Sequence, residues 1–68
     1  MEEKLKVRFG KKLRLIRKGK VSQEALADKA GLTRSYIGRI ERGKANISLE
    51  TLYKLADALA IAPGELLP

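Results

Sequence analysis

Residues 23–42 read QEALADKAGLTRSYIGRIER, and this stretch decides the fold of the chain. Its apolar residues recur at the three- and four-residue spacing of a helix on both sides of Gly31. A glycine tolerates the left-handed backbone that a sharp turn between two helices needs. The small side chain of Ala27 lets the two helices cross closely. The stretch therefore predicts two short, packed helices, the second of them opening at Thr33.

This arrangement is a helix-turn-helix motif, a device that places the amino end of its second helix in the DNA major groove. The facing sides of the two predicted helices carry six apolar residues: Leu26, Ala27, Ala30, Leu32, Ile37 and Ile40. Residues 33–36, at the start of the second helix, are free of that apolar contact. We therefore interpret residues 23–42 as a helix-turn-helix whose exposed turn binds DNA.

Helical spacing extends over the rest of the chain, and strand-like alternation is weak. We predict one all-α domain over residues 1–68, made of five short helices around one core. The first helix is expected from about Glu3 to Lys18, and the fourth from Leu49 to about Ala60. A last short helix begins at Pro63 and holds Leu66 and Leu67. The expected N-caps of helices 2, 3 and 4 are Ser22, Thr33 and Ser48.

The positive charge of the chain is concentrated near its start. The net charge is +7, and residues 1–20 carry nine Lys or Arg against two Glu. Residues 21–68 carry six basic and six acidic residues, so they add no net charge. Such a surplus favours a polyanion as partner, nucleic acid first and an anionic membrane second. The alternative is a solvated surface, which is how we interpret most of the charges on helix 1.

Residue types that carry catalysis or bind metals are scarce. The chain has no histidine and no cysteine, and its eight carboxylates are mostly scattered singly. A core of this size cannot also wall off a substrate pocket. We therefore expect no enzyme activity, no cofactor, no metal and no small-molecule effector. No apolar run approaches the ~20 residues of a membrane span, and the lack of cysteine fits a reducing cytoplasm.

Residues 9–67 resemble the phage repressor/Cro-like (Xre-type) helix-turn-helix domain. The resemblance lies in Phe9-Gly10 through Arg17, in VSQEALA at 21–27, in IGRIERG at 37–43 and in the leucines of helix 4. The run from Arg34 to Ser48 is most similar to the small controller proteins of restriction–modification operons. One departure is the link of residues 18–20, which is one residue shorter than usual. The resemblance implies a five-helix, lambda-repressor-like fold.

The motif and the resemblance together name the residues expected to bind DNA. Base contacts are expected from Thr33, Arg34, Ser35, Tyr36 and Arg39. Arg34 is the strongest of these, because a guanidinium can bond both O6 and N7 of guanine. Phosphate contacts are expected from Ser22, Gln23, Gly38, Arg42, Lys44 and Asn46. The alternatives are plain surface charge for the basic residues, packing on the helix 3–4 loop for Tyr36 and helix packing for Gly38.

The resemblance also implies a structural ion pair between Arg17 and Glu41, partly buried and not itself a binding site. We expect a homodimer on a palindromic operator in double-stranded DNA, because two-fold protein symmetry suits two-fold operator symmetry. Its candidate interface is Ile61, Leu66 and Leu67, and RNA polymerase is a further candidate partner.

Two other functions fit the same pattern. The fold also serves as a protein–protein coactivator module, in which the exposed arginines would contact an acidic protein. A phage repressor or an antitoxin-type regulator is the alternative within DNA binding. Binding of helix 1 to an anionic membrane is the weakest possibility, and we expect none.

Overall fold

The computed structural model describes residues 3–68, so Met1 and Glu2 of the predicted domain lie outside the described residues. It contains four α-helices, followed by one short 3-10 helix. Their bounds are Leu5–Lys18 (α1), Gln23–Ala30 (α2), Arg34–Glu41 (α3), Leu49–Ala58 (α4) and Pro63–Leu66 (the 3-10 helix). Residues 3–68 contain no strand, and the predicted all-helical fold is confirmed.

The prediction of five helices is wrong, because the last element is a single 3-10 turn and not an α-helix. Leu67 was expected inside it, yet its backbone is extended, with φ −73° and ψ 134°. A residue that precedes a proline avoids the α conformation, and Pro68 follows Leu67. Helix α1 also begins later than predicted, at Leu5, because Lys4 is extended and stands at the N-cap position.

Three helices begin at the serine or threonine that the sequence predicts. The hydroxyl of Ser22 accepts a hydrogen bond from the backbone N–H of Ala25 at 3.1 Å. Thr33 and Ser48 cap α3 and α4 in the same way, over 3.1 Å and 3.0 Å. Each cap satisfies one otherwise unpaired N–H group and stabilises its helix by about 1 kcal/mol. These caps fix where the two helices of the motif start.

Three helices also end in a left-handed residue. Gly31 and Gly43 have φ of 71° and 73°, and Ala60 has φ of 57°. In each case the next N–H bonds back into the last helical turn, as Ile61 does to the carbonyl of Ala56 at 3.0 Å. The reversal at Ala60 ends α4 two residues before its predicted end. It also turns Ile61 back onto the core.

One apolar core lies between the helices, and every element contributes to it. Its largest fully buried side chains are Leu13, Leu26, Ile37, Ile40, Leu55 and Leu66. Leu66 thus belongs to the core, where the 3-10 helix closes the end of the fold against α1 and α4. No helix within residues 3–68 has the length and apolar character to cross a bilayer.

Helices α1 and α3 make a close backbone contact where they cross at Gly10. A methyl group on Gly10 would overlap the carbonyl oxygen of Ile40 and lie 2.9 Å from that of Glu41. Only glycine lets the two backbones approach this closely. The same contact continues at Gly43, where a side chain would lie 2.8 Å from the Val7 side chain. Helix α1 therefore fixes the position of the whole carboxyl end of α3.

We expect Gly10→Ala to lower the free energy of unfolding by more than about 2 kcal/mol, because the new methyl group must push rigid backbone apart. Urea unfolding followed by circular dichroism measures the change. Gly64→Ala is the matched control, because a methyl group there meets nothing within 4 Å. Equal stability of the two variants would show that α1 and α3 do not depend on this approach.

Candidate nucleic-acid interface

The side of α3 that faces away from the core carries five of the eleven residues expected to bind DNA. Ile37, Ile40 and Glu41 point inward and are buried. Arg34, Ser35 and Arg39 are exposed. Because 3.6 residues make one turn, residues 34, 35, 38, 39 and 42 share the outward side of the helix. Helix α3 therefore presents three arginines on one solvent-facing surface, which we call the α3 outer face (Arg34, Ser35, Gly38, Arg39 and Arg42).

The two capping residues of the motif are exposed, but their hydroxyls already accept a hydrogen bond. Thr33 accepts from the N–H of Tyr36, and Ser22 accepts from that of Ala25. Each hydroxyl keeps its own O–H donor free, which is the group that a phosphate or a base acceptor needs. The arrangement places both hydroxyls at the positive ends of α2 and α3.

Tyr36 is the one proposed base-contact residue that is half-buried. It packs against the apolar core. Its backbone N–H belongs to the Thr33 cap. Part of the Tyr36 side chain therefore contacts the core, and only the exposed remainder is accessible to a ligand.

The basic residues after Arg34 differ in how they are held. Arg39 bends toward the loop after α3, where its Nη2 donates to the carbonyl of Lys44 at 3.3 Å. The guanidinium of Arg42 lies over Gly38, with Nη1 at 3.0 Å from where a Cβ on Gly38 would be. Lys44 and Asn46 are exposed in the loop that leads to α4. All four polar residues lie on or next to the α3 outer face.

A buried polar network holds α1, α2 and α3 together behind that face. Arg17 donates from Nε to Glu41, and from Nη2 to Glu41 Oε1 at 3.0 Å. Its Nη1 also donates to the carbonyl of Val21 at 3.2 Å. The side chains of Arg17 and Glu41 are only 10% and 3% exposed. The structure thus brings the sequence-predicted pair together in a two-pronged geometry that arginine favours.

Gln23 belongs to the same network, which the sequence did not indicate. Its Nε2 donates to Glu41 Oε1 at 2.9 Å, so one carboxylate oxygen serves both Arg17 and Gln23. Gln23 is half-buried at the first position of α2. Its second amide hydrogen and its carbonyl oxygen remain for a ligand. The polar network therefore sets the direction of a residue proposed to contact phosphate.

The residues proposed for a dimer interface are placed very differently. Leu66 is 0% exposed and unavailable to a partner, because its side chain completes the core. Ile61 is half-buried against the core, and Leu67 is 53% exposed. Sequence reasoning missed Leu49 and Tyr53, which are 72% and 57% exposed. The sequence does hold a signal for this exposed pair: their four-residue spacing places them on one side of α4, next to the apolar residues that face the core.

A helix-turn-helix family model matches residues 11–66, and the chain therefore belongs to the helix-turn-helix family. The control protein C.BamHI of Bacillus amyloliquefaciens is 44% identical over 69 aligned positions, which cover 98% of this chain and 85% of that one. The control protein C.MunI of a Mycoplasma species is 45% identical over 64 positions, with 91% and 86% covered.

A solved structure shows the same fold. The restriction-modification controller protein C.AhdI from Aeromonas hydrophila superimposes with a TM-score of 0.88 at 51% identity. The match covers 91% of this chain and 96% of that protein. The family resemblance seen in the sequence is confirmed, and the protein is a DNA-binding transcription regulator of the helix-turn-helix type.

We expect Glu41→Gln to lower the free energy of unfolding by about 3–5 kcal/mol, because it leaves the buried Arg17 charge without its partner. Thermal and urea unfolding measure the loss. The exposed Lys11–Glu3 ion pair supplies the control, since Lys11→Gln removes a pair worth about 0–1 kcal/mol. Similar losses in both variants would mean that the Arg17–Glu41 pair contributes no more than a surface contact.

Proposed function

We propose that this protein binds a palindromic operator as a homodimer and reads its sequence with the α3 outer face. The observation that carries this proposal is the free amino end of α3, where Arg34 and Ser35 are exposed and no other element covers them. A helix end of this kind fits the major groove, which is wide enough to admit a helix.

Arg34 is the residue we assign to base recognition, because it stands in the first turn of α3 and is exposed. Thr33, Ser35, Tyr36 and Arg39 complete the proposed base contacts. Arg34 and Arg39 lie more than one turn apart along the helix, so they would reach successive base pairs. Arginine forks favour guanine, which predicts G·C pairs at these positions of the operator half-site.

Most of the proposed phosphate contacts fall in two groups, one at the start of α2 and one directly after α3. Ser22 and Gln23 stand at the start of α2, where free N–H groups and the helix dipole favour an anion. Arg42, Lys44 and Asn46 follow α3 and are exposed. Gly38, on the α3 outer face, is the remaining member of the predicted phosphate set. The two groups would hold the backbone on either side of the groove that α3 enters.

The homodimer is supported by apolar surface that the single chain leaves uncovered. Leu5, Leu49 and Leu67 are 53–72% exposed and surround one groove of about 250 Å³, whose floor includes Phe9 and Leu52. Tyr53 lies one turn along α4 from Leu49. A second copy is the occupant we propose, because two-fold pairing would cover both grooves at once and suits a palindrome.

The dimensions of the chain fit this arrangement. Its extents are 35 × 24 × 23 Å, and a two-fold axis separates equivalent points by twice their distance from that axis, so a separation of about 34 Å requires each α3 to lie about 17 Å from it. Recognition helices on successive major grooves of one DNA face need a separation of about 34 Å. No extra domain is required to reach two half-sites.

We further propose that the protein controls a restriction–modification operon. The support is the naming of its relatives: C.BamHI and C.MunI are control proteins, and C.AhdI is a restriction-modification controller. Genes for a methyltransferase and an endonuclease beside this one are the expected context. RNA polymerase is the further partner proposed for a regulator that activates as well as represses.

We expect Arg34→Ala to weaken binding to the operator by about 1–3 kcal/mol, which is roughly 5- to 150-fold, and to relax its sequence preference. An operator obtained by selection from random duplexes and a scrambled duplex are compared by fluorescence anisotropy. Arg8→Ala is the matched control, since it removes the same charge from an exposed position on α1. If Arg34→Ala weakened binding to the operator and to the scrambled duplex equally, Arg34 would not be a base-recognition residue.

We expect Leu49→Asp to raise the dimer dissociation constant at least about ten-fold, because it buries a charge in the proposed apolar interface. Sedimentation equilibrium over a range of concentrations measures the change. Leu15→Asp makes the same substitution at a leucine that is 74% exposed on α1, away from this surface, and should leave the constant unchanged. A dimer that tolerates the Leu49 variant would place the interface elsewhere.

A further inference from the structure

Gly38 stands out because it is a glycine in the interior of α3, where alanine would make a more stable helix. It also lies on the α3 outer face, yet it is buried while Arg34, Ser35 and Arg39 around it are exposed. Something that is not the core therefore covers it. The sequence alone offered only two explanations, close approach of DNA or packing of another helix.

The group that covers Gly38 is the guanidinium of Arg42. The three heavy atoms nearest to a Cβ built on Gly38 are Nη1, Cζ and Nη2 of Arg42, at 3.0, 3.8 and 3.9 Å. At Gly10, by contrast, the three nearest atoms are backbone atoms of Ile40 and Glu41. Gly10 is thus a helix-packing glycine, and Gly38 is not.

The position of Arg42 explains the contact. It lies four residues after Gly38, so the two share one stripe of the helix, and helical side chains lean toward the amino end. Without a Cβ on residue 38, the guanidinium can lie against the helix backbone. The charge of Arg42 then stands one turn before its own Cα, between Arg34 and the loop that follows α3.

We propose that Gly38 is a positioning residue, which seats the Arg42 guanidinium on the α3 outer face so that it binds operator DNA together with Arg34. A methyl group on residue 38 would lie 3.0 Å from Nη1, so this flexible end of the side chain must shift by a few tenths of an ångström, while no rigid backbone is disturbed. The glycine therefore serves DNA binding through Arg42 and not through direct approach of the duplex. This inference rests on the proposed function.

A double-mutant cycle on the full chain tests the inference. We expect Gly38→Ala to weaken operator binding about ten-fold, the effect of losing one charge-assisted hydrogen bond. In an Arg42→Ala background, the same substitution should change affinity less than about two-fold, because the displaced group is already absent. The Gly38→Ala variant should unfold at the same temperature as the original protein or a higher one, since alanine favours the helix.

Arg39→Ala supplies the matched background. Arg39 lies on the same face, but its guanidinium donates to the Lys44 carbonyl, so Gly38→Ala should still weaken binding about ten-fold there. A second measurement needs no DNA. Nuclear Overhauser effects between the Arg42 side chain and the Gly38 Hα protons show directly whether the guanidinium lies against Gly38. We expect these effects in the original protein.

The outcomes separate the two proposals. If the original protein binds operator and scrambled duplexes equally, the proposed function fails, and the inference fails with it. If it prefers the operator but Gly38→Ala weakens binding equally with and without Arg42, the duplex approaches Gly38 directly and only the inference is overturned. Unchanged affinity of Gly38→Ala, or absence of the Arg42–Gly38 Overhauser effects, overturns it as well.

Discussion

The direction in which α3 presents its outer face depends on one contact, the crossing of α1 and α3 at Gly10. The two backbones are in direct contact there, so rotation of either helix would push α1 and α3 apart. The Arg17–Glu41 pair lies beside this crossing and adds directional hydrogen bonds to a contact that packing alone would leave free to slide. A short helix of eight residues has little stability of its own, and tertiary contact supplies what it lacks.

The polar network transmits this fixed geometry to α2, the first helix of the motif. Because Glu41 accepts from both Arg17 and Gln23, the start of α2 is tied to the end of α3 as well as to α1. Burying an ion pair costs desolvation energy, and a well-packed apolar pair often stabilises a fold as well or better. What the ion pair adds here is a defined direction for the Gln23 amide beside the proposed phosphate site. Losing one partner of the pair is costly, and the intact pair also fixes the geometry at the start of α2.

The sequence predicted the parts of the fold that local chemistry determines. The caps Ser22, Thr33 and Ser48 and the turn at Gly31 follow from residue type and spacing, and they are confirmed. The early end of α4 was not predictable in this way, because an alanine, Ala60, takes the left-handed position that usually belongs to glycine. Leu66 looked like a surface leucine, since its burial depends on how the last turn folds back onto α1 and α4. The roles of Gly10 and Gly38 and the Gln23–Glu41 hydrogen bond were not predictable either. Gly10 and Gln23 contact residues far away in the sequence, and the contact of Gly38 depends on the conformation of the Arg42 side chain.

The small size of the chain links its proposed dimerisation to its proposed operator binding. A chain of 68 residues buries only about 60% of the surface that its unfolded form exposes, and three of its exposed leucines, Leu5, Leu49 and Leu67, lie around one groove. If a second copy covers that groove, dimerisation stabilises both the folded chain and its complex with the operator. The fraction of operator bound then rises more steeply than the protein concentration. The charge of residues 1–20 would act separately, because long-range attraction to a polyanion accelerates encounter with any sequence. Under the proposed function, selectivity would come from the few side chains of the α3 outer face together with Thr33 and Tyr36. In this arrangement, the concentration of the protein itself would set the fraction of operator that is bound.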